Sequence, residues 1–307
     1  MSNIRVALLL ATAAALFLST AFSTAQSQQA YSTKEEAIGA LVTAAKAGDR
    51  AGLIRILGRG GDDIISSGDP VADTAARQAF TSAFDAKHQI MMDGDNKGML
   101  LIGTNEYPFP IPLVRKNDKW SFDTAAGRLE ILYRRIGRNE LNAIQASLAY
   151  VDAQNEYAEK DRGLGTGVYA RRFLSSKGKK DGLYWPTGQG EDESPLGDLV
   201  ADASNDGYRL TGRRTPYHGY YYKILTRQGP TAPGGPADYI VGGKMIGGFA
   251  LLAWPAEYGN SGVMTFLVNH AGEVFEKDRG PRSGWLADRT NAFNPDQTWR
   301  KVGVDFR

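Results

Sequence analysis

Acid–base chemistry in this chain has few residues to draw on: three histidines, His88, His218 and His270, and no cysteine. Without a thiol, disulfide scaffolds, thiolate zinc sites and cysteine nucleophiles are excluded. The histidines lie far apart, and none falls in His-Glu-x-x-His or another metal-ligand spacing. No metal site and no other cofactor is therefore expected. His218 has the richest surroundings, between Tyr217 and Gly219 and just after Thr215-Pro216. With several tyrosyl hydroxyls nearby, and Glu257 and Tyr258 on a neighbouring loop, it has the partners of a general acid or base. The alternative is a turn histidine bonded to backbone. That plainer role is adopted here, and no catalytic residue is assigned.

Other motifs fall short of their chemistry. Gly-x-Ser-x-Gly does not occur, and Ser261 lies between strands rather than opening a helix. The glycine-rich stretches at 163–167, 233–235 and 241–248 do not lead from a strand into a helix with a lysine at its start, as a phosphate loop requires. The run from Asp93 to Gly98, DGDNKG, offers three oxygen-bearing side chains. Position twelve of that run is Thr104, where a calcium-binding loop needs glutamate, so an exposed hairpin turn is expected.

Aromatic residues supply the remaining candidates: Tyr217, Tyr220, Tyr221, Tyr222, Trp254, Tyr258 and Trp285. Strand alternation puts Tyr220, Tyr222 and Ile224 on one face and Tyr221, Lys223 and Leu225 on the other. Half of the tyrosine run then leaves the core unless another element covers it. An aromatic groove near Tyr220, Trp254 and Tyr258 would suit a peptide or a glycan. The residues assigned to it are Tyr217, His218, Tyr220, Tyr222, Trp254, Glu257 and Tyr258. The plainer alternative buries these rings under the central helix, the first body or the terminal segment from Asn291 to Trp299.

These residues depend for their placement on one stretch, Gly127 to Arg162. Leu141, Ile144, Leu148 and Val151 form one helical stripe there, and Leu129, Leu132 and Ile136 form another. The two stripes part at Gly137, which predicts two helical segments joined near that residue, each packed on a different body. Residues 31–136 read as helices followed by an antiparallel meander, with Ala76, Phe80, Ala83 and Phe84 on the inner side of the third helix. That order resembles the cystatin-like and nuclear-transport-factor-like layouts. Residues 138–307 read as one helix and a second meander, with strands at 207–211, 219–227, 245–254, 263–269 and 273–277. The fold class expected is α+β, in two bodies of helix packed on antiparallel sheet.

The first residues point to export. Arg5 precedes the apolar run Val6 to Leu18, and Ser23-Thr24-Ala25 supplies small residues for cleavage, so 1–25 reads as a signal peptide. Thirteen apolar residues are too few for a comfortable membrane span, and no later window approaches that length. A periplasmic or secreted location is expected. With 36 basic and 34 acidic residues the formal charge is +2, which gives no field to recruit nucleic acid or an anionic membrane.

Several long strings carry a family resemblance: YHGYYYKILTRQG, GFALLAWPAEYGNSGVMTFLVNHAGEVFEKD, FNPDQTW and, upstream, WSFDTAAGRLEILYRRIGRNELNAI. They resemble the bacterial family catalogued as domain of unknown function 2950, over nearly all of the chain after the leader. The chain departs from that pattern at Asp278-Arg279-Gly280, where the family often reads Asp-Leu-Gly. The resemblance implies an exported protein, mostly of Gram-negative bacteria, without an established activity. The second half is also similar in layout to the globular part of type IV pilins and pseudopilins. It lacks their long apolar N-terminal helix, so filament assembly by the pilin route is not expected. The function expected is a non-catalytic envelope binding or assembly factor whose partner is an envelope protein, a peptide or a glycan. The alternatives are a hydrolase using His218 with Glu257 and a pilin-like structural subunit.

Overall fold

The Thr33 hydroxyl accepts the Glu36 amide at 3.1 Å and starts α1 (Lys34–Ala47), which buries Ile38, Leu41, Val42 and Ala45. The computed structural model describes residues 28–188, 190–208 and 214–303. The expected leader lies outside them, as does most of the strand expected at 207–211. Asp49 caps α2 (Arg50–Leu57), and α3 (Gly61–Ile65) follows after Gly58 and Gly60. Asp69 caps α4 (Pro70–Ala86), with proline at the first helical position.

No residue of α4 is fully buried. Of its expected inner face, Phe80, Ala83 and Phe84 lean on the first core, but Ala76 is exposed. The helix nonetheless packs against α1 and the strand Lys97–Ile102.

Five short strands follow: β1 (His88–Met92), β2 (Lys97–Ile102), β3 (Tyr107–Pro108), β4 (Leu113–Lys116) and β5 (Lys119–Phe122). All pairs are antiparallel, in the order β1-β2-β4-β5 with β3 beside β2. Asn117 and Asp118 both take positive φ, 50° and 60°, as the tight hairpin between β4 and β5 requires. Helices α1 and α2 pack on β5, and the first core gathers Ile38, Leu41, Leu53, Leu100, Leu113 and Phe122.

The expected break at Gly137 does not occur. A single helix of 36 residues, α5 (Thr124–Glu159), begins at the Asp123 cap and runs through that glycine. One glycine costs a helix only about 1 kcal/mol relative to alanine, too little to interrupt a segment packed at both ends. Of the expected stripes, Leu132, Ile144 and Val151 are buried and Leu148 packs on the second core. Leu129 and Leu141 are exposed, whereas Ala143, Ser147, Tyr150, Gln154 and Tyr157 are buried. That face is built largely from small and polar residues, so a search for large apolar side chains passes over it. Gln154 is fully satisfied, donating to the Tyr150 hydroxyl at 2.9 Å and the Ala170 carbonyl at 2.8 Å and accepting the Ala170 amide at 2.8 Å. A Cβ at Gly137 would meet nothing within 4 Å. Gly137→Ala is therefore expected to stabilise the fold by about 0.5–1 kcal/mol in urea unfolding, where a hinge at this residue would give a loss instead.

After α5 come α6 (Gly197–Asn205), β6 (Tyr220–Leu225), the pair β7 (Arg227–Gln228) and β8 (Ala237–Asp238), and the pair β9 (Ile240–Val241) and β10 (Lys244–Met245). The strand expected from Met245 to Trp254 is divided, and β11 (Ala250–Pro255) begins after Gly247-Gly248. With β12 (Met264–Asn269), β13 (Val274–Asp278) and β14 (Arg300–Lys301) it forms an antiparallel sheet ordered β14-β13-β12-β11-β6. Helix α5 lies on β11 and β12. A short helix, α7 (Ser283–Arg289), packs against β11 on the opposite face. Alternation along β6 separates the two faces: the Tyr220 hydroxyl meets Glu140 of α5, while the Lys223 ammonium reaches the end of α7. The second core includes Tyr150, Tyr220, Leu252, Trp254, Phe266 and Phe293. The chain is thus an α+β protein with two sheet-bearing regions, each with its own apolar core. Among the described residues no helix is long and apolar enough to cross a membrane.

Candidate ligand-binding site

Pairing of β6 with β11 puts Tyr221 opposite Trp254, with ring centroids 5.8 Å apart. They face α7, whose position is fixed by a half-buried cation. Lys223, two residues along the same face, donates to the carbonyls of Ala287, Asp288 and Thr290 at 3.3, 3.1 and 2.8 Å. These carbonyls lie at a helix C-terminus, where a cation is favoured. Burial lowers the Lys223 pKa from its ordinary value.

Between the sheet and α7 lies a cleft of about 350 Å³. Trp254 forms its floor at only 2% exposure, and Trp285 of α7 stands at its edge with half of its surface in solvent, 51%. Tyr258 lines another side, its hydroxyl donating to Asp278 at 3.2 Å. The Arg214 guanidinium lies 5.0 Å from the Trp254 ring and pairs with Asp288 at 2.7 Å. That hydrogen bond holds the Asp288 carboxyl below the usual carboxylate range. The Arg289 guanidinium stacks over the Trp285 ring at 3.9 Å. The cleft thus presents aromatic faces together with a paired cation and anion.

Of the residues assigned from sequence, Trp254 and Tyr258 line this cleft. Tyr220 does not: it is fully buried, its hydroxyl donates to the Met264 carbonyl at 3.0 Å, and the second core encloses it. Alternation explains the correction, because Tyr221 rather than Tyr220 shares a face with Trp254. Tyr217, His218 and Tyr222 gather elsewhere, around Tyr208, with the Tyr217 ring 5.1 Å and the His218 ring 5.6 Å from that of Tyr208. Burial pushes the tyrosine hydroxyls of this group up and the His218 imidazole down. His218 and Glu257 share no hydrogen bond among the described residues. Glu257 is exposed and accepts from Asn260 at 3.1 Å. Arg214 and Asp288 are cleft residues that sequence reasoning missed. They are 74 positions apart, and no local spacing links them.

The His218 turn is where the two sheet-bearing regions meet. His218 takes a left-handed φ of 49°, and its amide donates to the Tyr208 hydroxyl at 3.1 Å. Gly219 follows with φ 76° and leaves no room for a side chain, since a Cβ there would lie 2.5 Å from the Asn139 amide nitrogen. The Tyr208 hydroxyl and the Gly219 amide both donate to Asp69 at 2.8 Å, and Asp69 is completely buried. Arg135 of α5 adds a second link, donating to the carbonyls of Asp63 and Ile64 and to the side chain of Asn260. His218 therefore serves as a backbone turn at this junction.

An α+β protein with an exposed aromatic cleft results; among its described residues no group of His, Cys, Asp or Glu side chains could hold a metal ion. The chain belongs to the protein family of unknown function DUF2950, whose model matches residues 28–302. No curated protein and no solved structure matches it.

Proposed function

We propose that this protein is a non-catalytic binding or assembly factor of the bacterial envelope. In this reading residues 1–25 direct export, and the mature chain works in the periplasm or outside the cell as two bodies, 31–136 and 138–307. The cleft between β11 and α7 takes a peptide or glycan segment of an envelope component. One observation carries the reading: the cleft juxtaposes a buried tryptophan floor with a half-exposed tryptophan wall. Flat apolar faces beside an Arg–Asp pair suit a ligand with both a stackable face and hydrogen-bonding groups. A hydrolase built on His218 and Glu257 has less support, because no hydrogen bond joins the two among the described residues and Glu257 bonds to Asn260 instead.

The test is titration of the mature chain with soluble peptidoglycan fragments and, separately, with extended peptides, followed by tryptophan fluorescence. Trp285→Ala is expected to weaken the binding by about 2 kcal/mol, roughly 30-fold, as hot-spot aromatics do. Its unfolding midpoint should stay unchanged, since half of the side chain is already in solvent. Binding equal to that of the unaltered chain would refute the site.

A further inference from the structure

Between α4 and its neighbours in the first body lies an open cavity of about 770 Å³. Its walls are apolar and come from every layer of that body: Leu41 and Leu53 from the helices, Phe80 from α4, Ile102 and Phe109 from the sheet side, and Ile131 from α5. An apolar space of this size falls within the range of sites that hold a single small molecule.

The charged lining has a strong bias. Five guanidiniums, Arg50, Arg77, Arg134, Arg135 and Arg138, face one carboxylate, Asp73. Asp73 is engaged, accepting from the Ser67 amide at 3.0 Å and its hydroxyl at 2.6 Å. Arg50 pairs with Asp62, Arg134 pairs with Glu130, and Arg135 is committed to the junction. That leaves Arg77 and Arg138 without a carboxylate partner among the described residues. Arg77 has only a long bond, 3.4 Å, to the Thr74 hydroxyl, and Arg138 is exposed on α5. A ligand that satisfies such a lining has an apolar body and an anionic head.

We infer that this cavity is a binding site for a single-chain anionic amphiphile of the alkyl carboxylate class. The alkyl chain lies between α4 and the core, against the partly exposed side chains of Phe80, Phe109 and Ile131. The carboxylate is held by Arg77 or Arg138, which need no rearrangement of an existing ion pair to accept it. The inference is independent of the aromatic cleft, which belongs to the other sheet-bearing region.

Calorimetric titration of the mature chain with sodium octanoate, decanoate and dodecanoate, all below micellar concentration, tests the site. One saturable site is expected, tightening about fourfold for each added CH₂. 1-Dodecanol should bind at least tenfold more weakly than dodecanoate. The double variant Arg77→Glu with Arg138→Glu should weaken dodecanoate about tenfold or more and leave 1-dodecanol unchanged. Ala79→Trp, at an exposed position on the cavity wall, should weaken both ligands, and circular dichroism would confirm that it folds. Affinity independent of chain length, uptake without saturation, or an unchanged dodecanoate affinity in the double variant would overturn the assignment. Trp285→Ala should leave dodecanoate binding intact, so failure of one site is distinguishable from failure of the other.

Discussion

Asp69→Ala is expected to lower the free energy of unfolding by about 3–5 kcal/mol. The buried carboxylate accepts four hydrogen bonds: one oxygen takes the Val71 and Ala72 amides at 3.2 Å, and the other takes the Tyr208 hydroxyl and the Gly219 amide at 2.8 Å. Truncation removes the α4 cap and leaves buried donors on both sides of the junction without an acceptor. Loss of the cap alone costs about 0.5–2 kcal/mol, and each stranded donor adds about 1–3 kcal/mol before relaxation. Equilibrium urea denaturation of the mature chain is the measurement. A change below about 1 kcal/mol would mean that the junction contributes little to the fold.

Gly127→Ala is expected to destabilise by about 1–3 kcal/mol or more, although alanine is the better helix former. Gly127 lies in the first turn of α5, where a Cβ would sit 2.5 Å from the Pro110 carbonyl oxygen and 2.7 Å from the Ile111 Cα. Both are backbone atoms, so relief requires the chain before β4 to move rather than a side chain to rotate. The opposite sign from Gly137→Ala, ten residues along the same helix, makes the pair an internal control in a single urea series. Equal stabilisation by both would show that the contact of α5 with the 110–111 segment is loose.

Much of this architecture is legible in the chain because its signals are local. The Thr33 cap, the Asp69 cap and the Asn117-Asp118 turn each act within four residues. The tyrosine run shows its two faces through simple alternation, yet which face is solvated depends on where α5 and α7 lie. Burial of Tyr220 beneath α5 is the plainer alternative of the sequence, though nothing local to it announces Glu140 above it. Gly137 misled for a related reason: a change of stripe looks like a break, whereas a continuous helix can bury different faces at its two ends. The cleft was half visible. Trp254 and Tyr258 stand out as aromatics on a strand end and a loop, but the Arg214–Asp288 pair arises from tertiary placement alone. The cavity beneath α4 left no mark beyond an alanine-rich helix, a composition that equally describes close packing.

The Asp69 junction also bears on the order in which the molecule can form. Asp69 is 139 residues from Tyr208 and 150 from Gly219 along the chain. The first sheet and its helices assemble from near neighbours, but their closing contacts come from segments synthesised much later. Contacts of such long sequence separation slow folding, because loop-closure entropy is spent before the contact rewards it. Until then one Asp69 oxygen caps α4 while the other lacks its two long-range donors. Docking of the His218 turn thus carries the longest loop-closure cost of the Asp69 contacts.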